Sequence, residues 1–351
     1  MNVRSEVAKR LQTEMVRKGF LASTLAQEAS VPQTTIDEYL RGAREISFTE
    51  LRPICEALTL RLMWLLAPHY ERPLLQYRVT SGQKRDRSRV GEIENVFLTI
   101  ASLLPKTRDI PTTPLDDSYN DVPYLLAAVN KVVEFHRAEH PTVESIYTSI
   151  GLPVLPISAG KDSFDAFLMR TKHHAMVCVN VSQPINRIHF SLLHEIAHYL
   201  YHRNQEVPID FLRNDLYEQN IPDEAKPEFI ANKFAQLYLV PFKEAERLAS
   251  KWPALPNISL FLQEHRTSAR VLAHAMRDIW TCRHTNKTPN FKVLADTIAT
   301  SAGNAGCEDT RLTDFLVDQK NTLRSRLSEN RDKFSDDVWE LVWCGWDMDN
   351  A

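Results

Sequence analysis

The segment NRIHFSLLHEIAHYLYH, from Asn186 to His202, contains neither glycine nor proline and carries apolar side chains at Leu192, Leu193, Ile196, Ala197, Tyr199 and Leu200. It reads as an apolar helix, which is stable only with other elements packed against it. Within it, His194 and His198 stand four positions apart and Glu195 directly follows the first histidine. A helix turns about 100° per residue, so both imidazoles leave one face about one turn apart, near enough to reach a single ion. Glu195 lies beside them, placed to act on a water at that ion without ligating it. With 12 histidines in 351 residues, chance alone supplies H-E-x-x-H in about 0.03 of chains of this composition. The competing reading is a core helix whose histidines are hydrogen-bonded and bind nothing.

Two histidines leave a coordination shell incomplete, because catalytic zinc takes three protein ligands and keeps one position for water. His202 continues the spacing, but at about 12 Å of helical rise from His194 it is too far to close the shell; a structural role is expected for it. The longer H-E-x-x-H-x-x-G-x-x-H pattern would need histidine where Asn204 stands. The stretch EFIANKFAQLYLVP, Glu228 to Pro241, is a better source. Phe229, Ala231, Phe234, Ala235 and Leu239 give it a buried helical surface, with Glu228 and Asn232 four apart. Packed on the first helix, it could present Glu228 as an oxygen ligand while Asn232 steadies a ligand histidine by a hydrogen bond. Glu206, Asp210, Glu218 and Glu224 are rival carboxylates that spacing does not exclude.

The rest of the chain divides by composition and period. Residues 1–68 read as short helices, residues 73–279 mix both periods, and residues 280–351 are mostly helical. In the middle region LLQYRVT, LPVLPIS, FDAFLM and AMVCVNV read as extended strands. One helix face is expected from Val90 to Leu104 and a further helix from Asp121 to His140, with Pro123 in its first turn and Pro141 at its stop. This predicts an α+β chain: an all-α N-terminal bundle, a small sheet packed on helices, and a helical C-terminal region in which Trp339, Trp343 and Trp346 would dock one helix on the middle domain. The net charge of -3 points to no nucleic acid or anionic membrane as a whole-chain partner. There is no apolar signal core, and the window Leu58 to Pro68 is too short to cross a bilayer, so a cytoplasmic protein without a membrane association is expected. Five scattered cysteines without a CxxC pair fit reduced thiols rather than disulfides or a thiolate zinc site.

From about Gly151 to Pro241 the order GLPVLPIS, NRIHFSLLHEIAHYLYH, EFIANKFAQLYLVP resembles the ImmA/IrrE family of metallopeptidases. The resemblance implies a zincin-like domain in which His194, His198 and Glu228 bind one zinc ion, or manganese in its place, and Glu195 is the catalytic acid/base. The chain departs from the family at Ile230, where many members carry a second glutamate. Upstream, STLAQEASVPQTTIDEYLRG, Ser23 to Gly42, resembles the helix-turn-helix of XRE-type regulators, with Ser30 where a glycine is often found. That resemblance puts Gln33, Thr34, Thr35 and Arg41 where DNA would be met. Residues 1–68 carry nine Lys/Arg against eight Asp/Glu, a net of +1, so little counterion-release affinity is expected and a protein-binding or dimerising role is equally open. The basic run QKRDRSR, Gln83 to Arg89, is read as a solvated loop.

The chemistry that follows is peptide hydrolysis, with His189, Tyr199 and Tyr201 as oxyanion donors by proximity and the strand AMVCVNV as an edge for an extended substrate. Family resemblance implies a helix-turn-helix repressor as the substrate, cleaved to release stress-response, prophage or defence genes. The alternative is a DNA-binding or antitoxin-like regulator that keeps the peptidase fold as a sensor module with little turnover; a helical interaction protein without metal is the third. A homodimer is compatible with each.

Overall fold

The computed structural model describes residues 3–45, 47–58, 60, 65, 74–78, 97, 101–106, 114–161, 164–171, 173–202, 221–255, 257–283, 288–303 and 309–331. The expected helix from Val90 to Leu104 falls largely outside them, with Ala101–Leu103 forming a single 3-10 turn. The QKRDRSR run and the C-terminal tryptophans also lie outside.

Contacts group the chain into two compact units, Met1–Pro73 with Asp86–Ile100, and Leu74–Arg85 with Ala101–Ala351. The first contains α1 (Val3–Lys18), α2 (Ala22–Glu28), α3 (Gln33–Leu40) and α4 (Phe48–Ala57). Their apolar faces meet in a core of Val7, Leu11, Leu25, Ile36, Leu51 and Ile54, with the buried Tyr39 among them. The Tyr39 hydroxyl donates to Glu50 Oε2 at 3.0 Å and accepts from the Ser47 backbone N–H at 3.1 Å, so its one polar atom is satisfied inside the bundle. Between α2 and α3 the chain turns through Ser30 at φ +54°, a left-handed position that a glycine occupies without strain.

The second unit is built on a four-stranded sheet of β1 (Leu74–Arg78), β2 (Val154–Ile157), β3 (Ala166–Arg170) and β4 (Ala175–Asn180), in the order β1-β3-β4-β2. β3 runs antiparallel to β1 and β4, while β2 runs parallel to β4. All residues of β2, β3 and β4 are buried, which is why these segments are continuous apolar runs instead of alternating ones. The placement corrects one expectation. AMVCVNV is β4, an inner strand paired on both sides, and has no free edge for a substrate. The edges belong to β1 and β2.

Around the sheet lie α5 (Val122–Glu139), α6 (Val143–Ile150), α7 (Ile185–Tyr201), α8 (Lys226–Leu239), α9 (Phe242–Ala249), α10 (Ile258–Glu264), α11 (Ala269–Cys282), α12 (Phe291–Ala302) and α13 (Thr310–Ser328). Local chemistry sets their ends. Asp121 caps α5 by accepting from the Tyr124 N–H, Thr142 and Ser145 form a capping box on α6, and Gly151 ends α6 at φ +66°. α7 packs on β3, β4 and α8, and α5 packs on α8. One core runs through the unit from Val122 to Leu316, so α12 and α13 are part of the same body as the strands. α13 lies along β2, where Gln319 Oε1 accepts from the Val154 N–H at 3.1 Å. This covers an otherwise exposed sheet edge.

Candidate metal centre

Helix α7 is buried at every residue from Ser191 to Leu200, so its histidines reach the interior without leaving the helix. His194 is 0% exposed, Glu195 0% and His198 1%. The i, i+4 spacing brings His194 Nε2 to 3.0 Å from His198 Nε2. Glu228, in the first turn of α8, places Oε1 at 3.1 Å from His198 Nε2 and Oε2 at 3.4 Å from His194 Nε2. α8 starts in this position because Lys226 Nζ donates to the Asp117 carbonyl at 2.9 Å and pairs with Asp223 at 2.8 Å. The Ile221 N–H donates to the Asn120 carbonyl just upstream, at 2.8 Å.

These separations are close to those of a coordination shell. Bonds of about 2.0–2.2 Å to a tetrahedral zinc put ligand atoms about 3.3–3.6 Å apart; His194 Nε2 and Glu228 Oε2 are 3.4 Å apart, while His198 Nε2 lies slightly inside that spacing, 3.0 Å from His194 Nε2 and 3.1 Å from Glu228 Oε1. Two nitrogens and a carboxylate oxygen are also the donor types that zinc takes. Burial by itself pushes the Glu228 carboxyl up, but the two imidazoles beside it outweigh that and hold it well below the usual carboxylate range. It is therefore an anion at neutral pH, as a ligand must be.

The far side of His198 is held as well. Its Nδ1 lies 3.0 Å from Nδ1 of His202, whose ring is 2% exposed and whose carbonyl accepts from Arg170 at 2.6 Å. Burial, with His198 nearby, keeps the His202 ring well below the ordinary histidine range, so it is neutral. A His198 that offers its Nε2 lone pair to an ion carries its proton on Nδ1, and His202 Nδ1 is the acceptor for it. His202 thus lies outside the His194, His198 and Glu228 cluster, as its spacing requires, and is placed to orient the His198 ring. Asn232, expected in such a role, lies half-buried one turn after Glu228; for His198 the partner is His202. Of the rival carboxylates, Glu206, Asp210, Glu218 and the Glu224 side chain lie outside the described residues. A cavity of about 230 Å³ adjoins the start of α8, lined by Asp117, His202, Asp223, Lys226, Pro227 and Ile230.

Residues 149–274 match the model of the peptidase M78 family, described as the IrrE N-terminal-like domain. Residues 149–274 form an IrrE N-terminal-like domain. The match spans β2 to α11 and includes every residue of the centre, and the family is of the metallopeptidase type. No curated protein and no solved structure matches the chain.

Within the IrrE N-terminal-like domain, two of the three oxyanion candidates are committed elsewhere. His189 Nε2 lies 2.6 Å from Asp309 Oδ2, and the Tyr201 hydroxyl lies 2.8 Å from His136 Nε2. Tyr199 is buried. Asp309 stands 120 residues from His189; its position before TRLTDFLVDQ marks a helix cap but names no distant partner.

In the N-terminal unit, Gln33, Thr34 and Arg41 are exposed, whereas Thr35 is 3% exposed and packs inward. Thr35 is therefore unsuited to touching DNA, because its side chain is part of the bundle. Arg44 pairs with Glu38 and, at 2.5 Å, with Glu50, so Glu38 is neutralised within the unit. Among the described residues, no helix is long and apolar enough to cross a membrane.

Proposed function

We propose that the chain is a zinc-dependent endopeptidase that hydrolyses a peptide bond in a partner protein, and that this partner is a helix-turn-helix transcriptional repressor whose cleavage switches on stress-response, prophage or defence genes. The reading is carried by one observation, the convergence of His194, His198 and Glu228 at separations of 3.0–3.4 Å with Glu195 next to the first ligand. His194 Nε2, His198 Nε2 and a Glu228 oxygen would hold the ion. When bound, zinc acidifies a water molecule and polarises the peptide carbonyl. Glu195 takes the proton from the attacking water and returns it to the leaving amine. Its burial beside the ligands excludes competing solvent from that transfer. Glu195 also separates this reading from a sensor module without turnover, since metal binding alone has no use for a second carboxylate that is not a ligand. The assay is metal analysis of the purified chain, followed by incubation with small helix-turn-helix repressors encoded beside its gene. One zinc per chain and a discrete repressor fragment are expected. Stoichiometric zinc with intact repressor and no cleavage of any repressor offered would favour the sensor module, and a chain that retains no metal would end both readings.

A further inference from the structure

Five residues before His194 on α7, His189 is 1% exposed and makes its 2.6 Å contact with Asp309. Asp309 stands immediately before α13, and its Oδ1 caps that helix, accepting from the backbone N–H groups of Arg311 at 3.1 Å and Leu312 at 3.3 Å. Arg266 Nη1 completes the group at 2.8 Å from Asp309 Oδ2 and 3.6 Å from Glu144 Oε1. Glu144, His189 and Asp309 have the donor types of a second metal site. The Arg266 guanidinium already supplies positive charge at 2.8 Å, so the cluster is a hydrogen-bonded network in which a dication would be repelled. One turn from Glu144 on α6, the Tyr147 hydroxyl donates to the Leu192 carbonyl of α7 at 2.9 Å.

The contacts matter because of what surrounds α7. Leu192, Leu193, Ile196, Ala197 and Leu200 fix how deeply the helix is buried, but apolar packing is non-directional and sets its rotation only loosely. Ligand atoms lie about 6 Å from a helix axis, so a rotation of 10° moves them about 1 Å, more than the ~0.5 Å tolerance of a metal site. Directional contacts hold that angle: Tyr147 to Leu192, Arg170 to the His202 carbonyl, and Asp309 to His189.

We infer that Asp309, which lies beyond the matched residues 149–274, is a positioning residue for the metal centre, acting through His189 on the rotational setting of α7. The region after residue 274 is then a working part of the peptidase. This rests on the reading of His194, His198 and Glu228 as metal ligands.

The test measures zinc affinity of the full chain by chelator competition, together with the visible spectrum of the cobalt-substituted protein. Asparagine caps helices as well as aspartate does, so Asp309→Asn keeps the α13 cap while removing the carboxylate charge shared by His189 and Arg266. It is expected to weaken zinc binding about tenfold, the lower end of what outer supports contribute, and to shift the cobalt bands with helix content unchanged. His189→Leu should do the same, while His189→Gln, which retains an N–H donor near Nε2, should keep wild-type affinity. Leu323→Ala, buried in α13 but absent from the network, should lower stability and leave zinc affinity alone. Wild-type affinity in Asp309→Asn, or an equal loss in Leu323→Ala, overturns the inference. If Asp309→Asn does not fold, equal affinities of His189→Leu and His189→Gln overturn it. A wild-type chain that binds no zinc refutes the reading of the centre itself, an outcome distinct from wild-type binding that the variants leave unchanged.

Discussion

Replacing His202 by leucine would remove the group beside His198 Nδ1 and leave His194, His198 and Glu228, the proposed ligands, in place. The contact is 3.0 Å long between residues that are 2% and 1% exposed, and a leucine filling the space of the His202 ring puts an apolar group where the acceptor was. A buried N–H left without a partner costs about 1–3 kcal/mol. Because that cost falls on the tautomer of His198 that binds metal, zinc affinity should drop about 5- to 150-fold at about 1.4 kcal/mol per tenfold. The Arg170 contact is to the backbone carbonyl of residue 202 and survives the change. His202→Asn is the paired variant, because its amide oxygen lies close to where Nδ1 was and can still accept; it should bind zinc nearly as wild type does. Chelator competition at neutral pH, with circular dichroism to confirm folding, measures both. Equal affinity in wild type and His202→Leu would refute the argument, as would a loss in His202→Asn as large as in His202→Leu.

Other outcomes follow from named residues. Glu195→Gln should retain stoichiometric zinc and lose about 10²–10⁴ in cleavage rate; undiminished proteolysis by a pure preparation would remove Glu195 from the mechanism. Ser30→Gly should stabilise the N-terminal unit by about 0.5–1 kcal/mol, since the left-handed penalty of about 1–2 kcal/mol exceeds the entropic cost of glycine; chemical denaturation showing destabilisation would contradict the φ of +54° at that turn. Burial, helped by His140, pushes His136 down to about 4. Between that value and an unfolded pKa of about 6.5 the unfolded chain binds the extra proton, so the contribution of His136 is complete above pH 6.5 and is lost as pH falls towards 4. His136→Gln should flatten the decline of melting temperature over that window, and an unchanged slope would show that His136 is not one of its sources.

What could be read along the chain was local. The start of α5 at Asp121 and its stop before Pro141 depend on residues within a few positions, and they stand where the sequence put them. The strands are short apolar runs bounded by breakers, and all four were legible. Their order was not, which is why β4 looked like a free edge: the pairing of β2 with β4 across the β3 insertion is a long-range event that no run of residues encodes by itself. Thr35 failed as an outward-facing residue for a related reason. Helical spacing relates it to Ile36 and Tyr39, but the direction of the core is set by α1 and α2, which pack on α3.

The metal centre divides along the same line. H-E-x-x-H is self-sufficient, because the pitch of one helix already carries two imidazoles to within reach of one ion, and the sequence alone determined that pair and the acid beside it. Glu228 was one carboxylate among several until α8 packed on α7 and brought it to 3.1 Å from His198. The roles proposed for His202 and Asp309 rest on the folded chain alone, the first on the neutral, buried surroundings of its ring and the second on a contact across 120 residues. Ligand types and their spacing are written in order along a chain, whereas the angle at which a helix presents them is set by partners that folding brings from elsewhere.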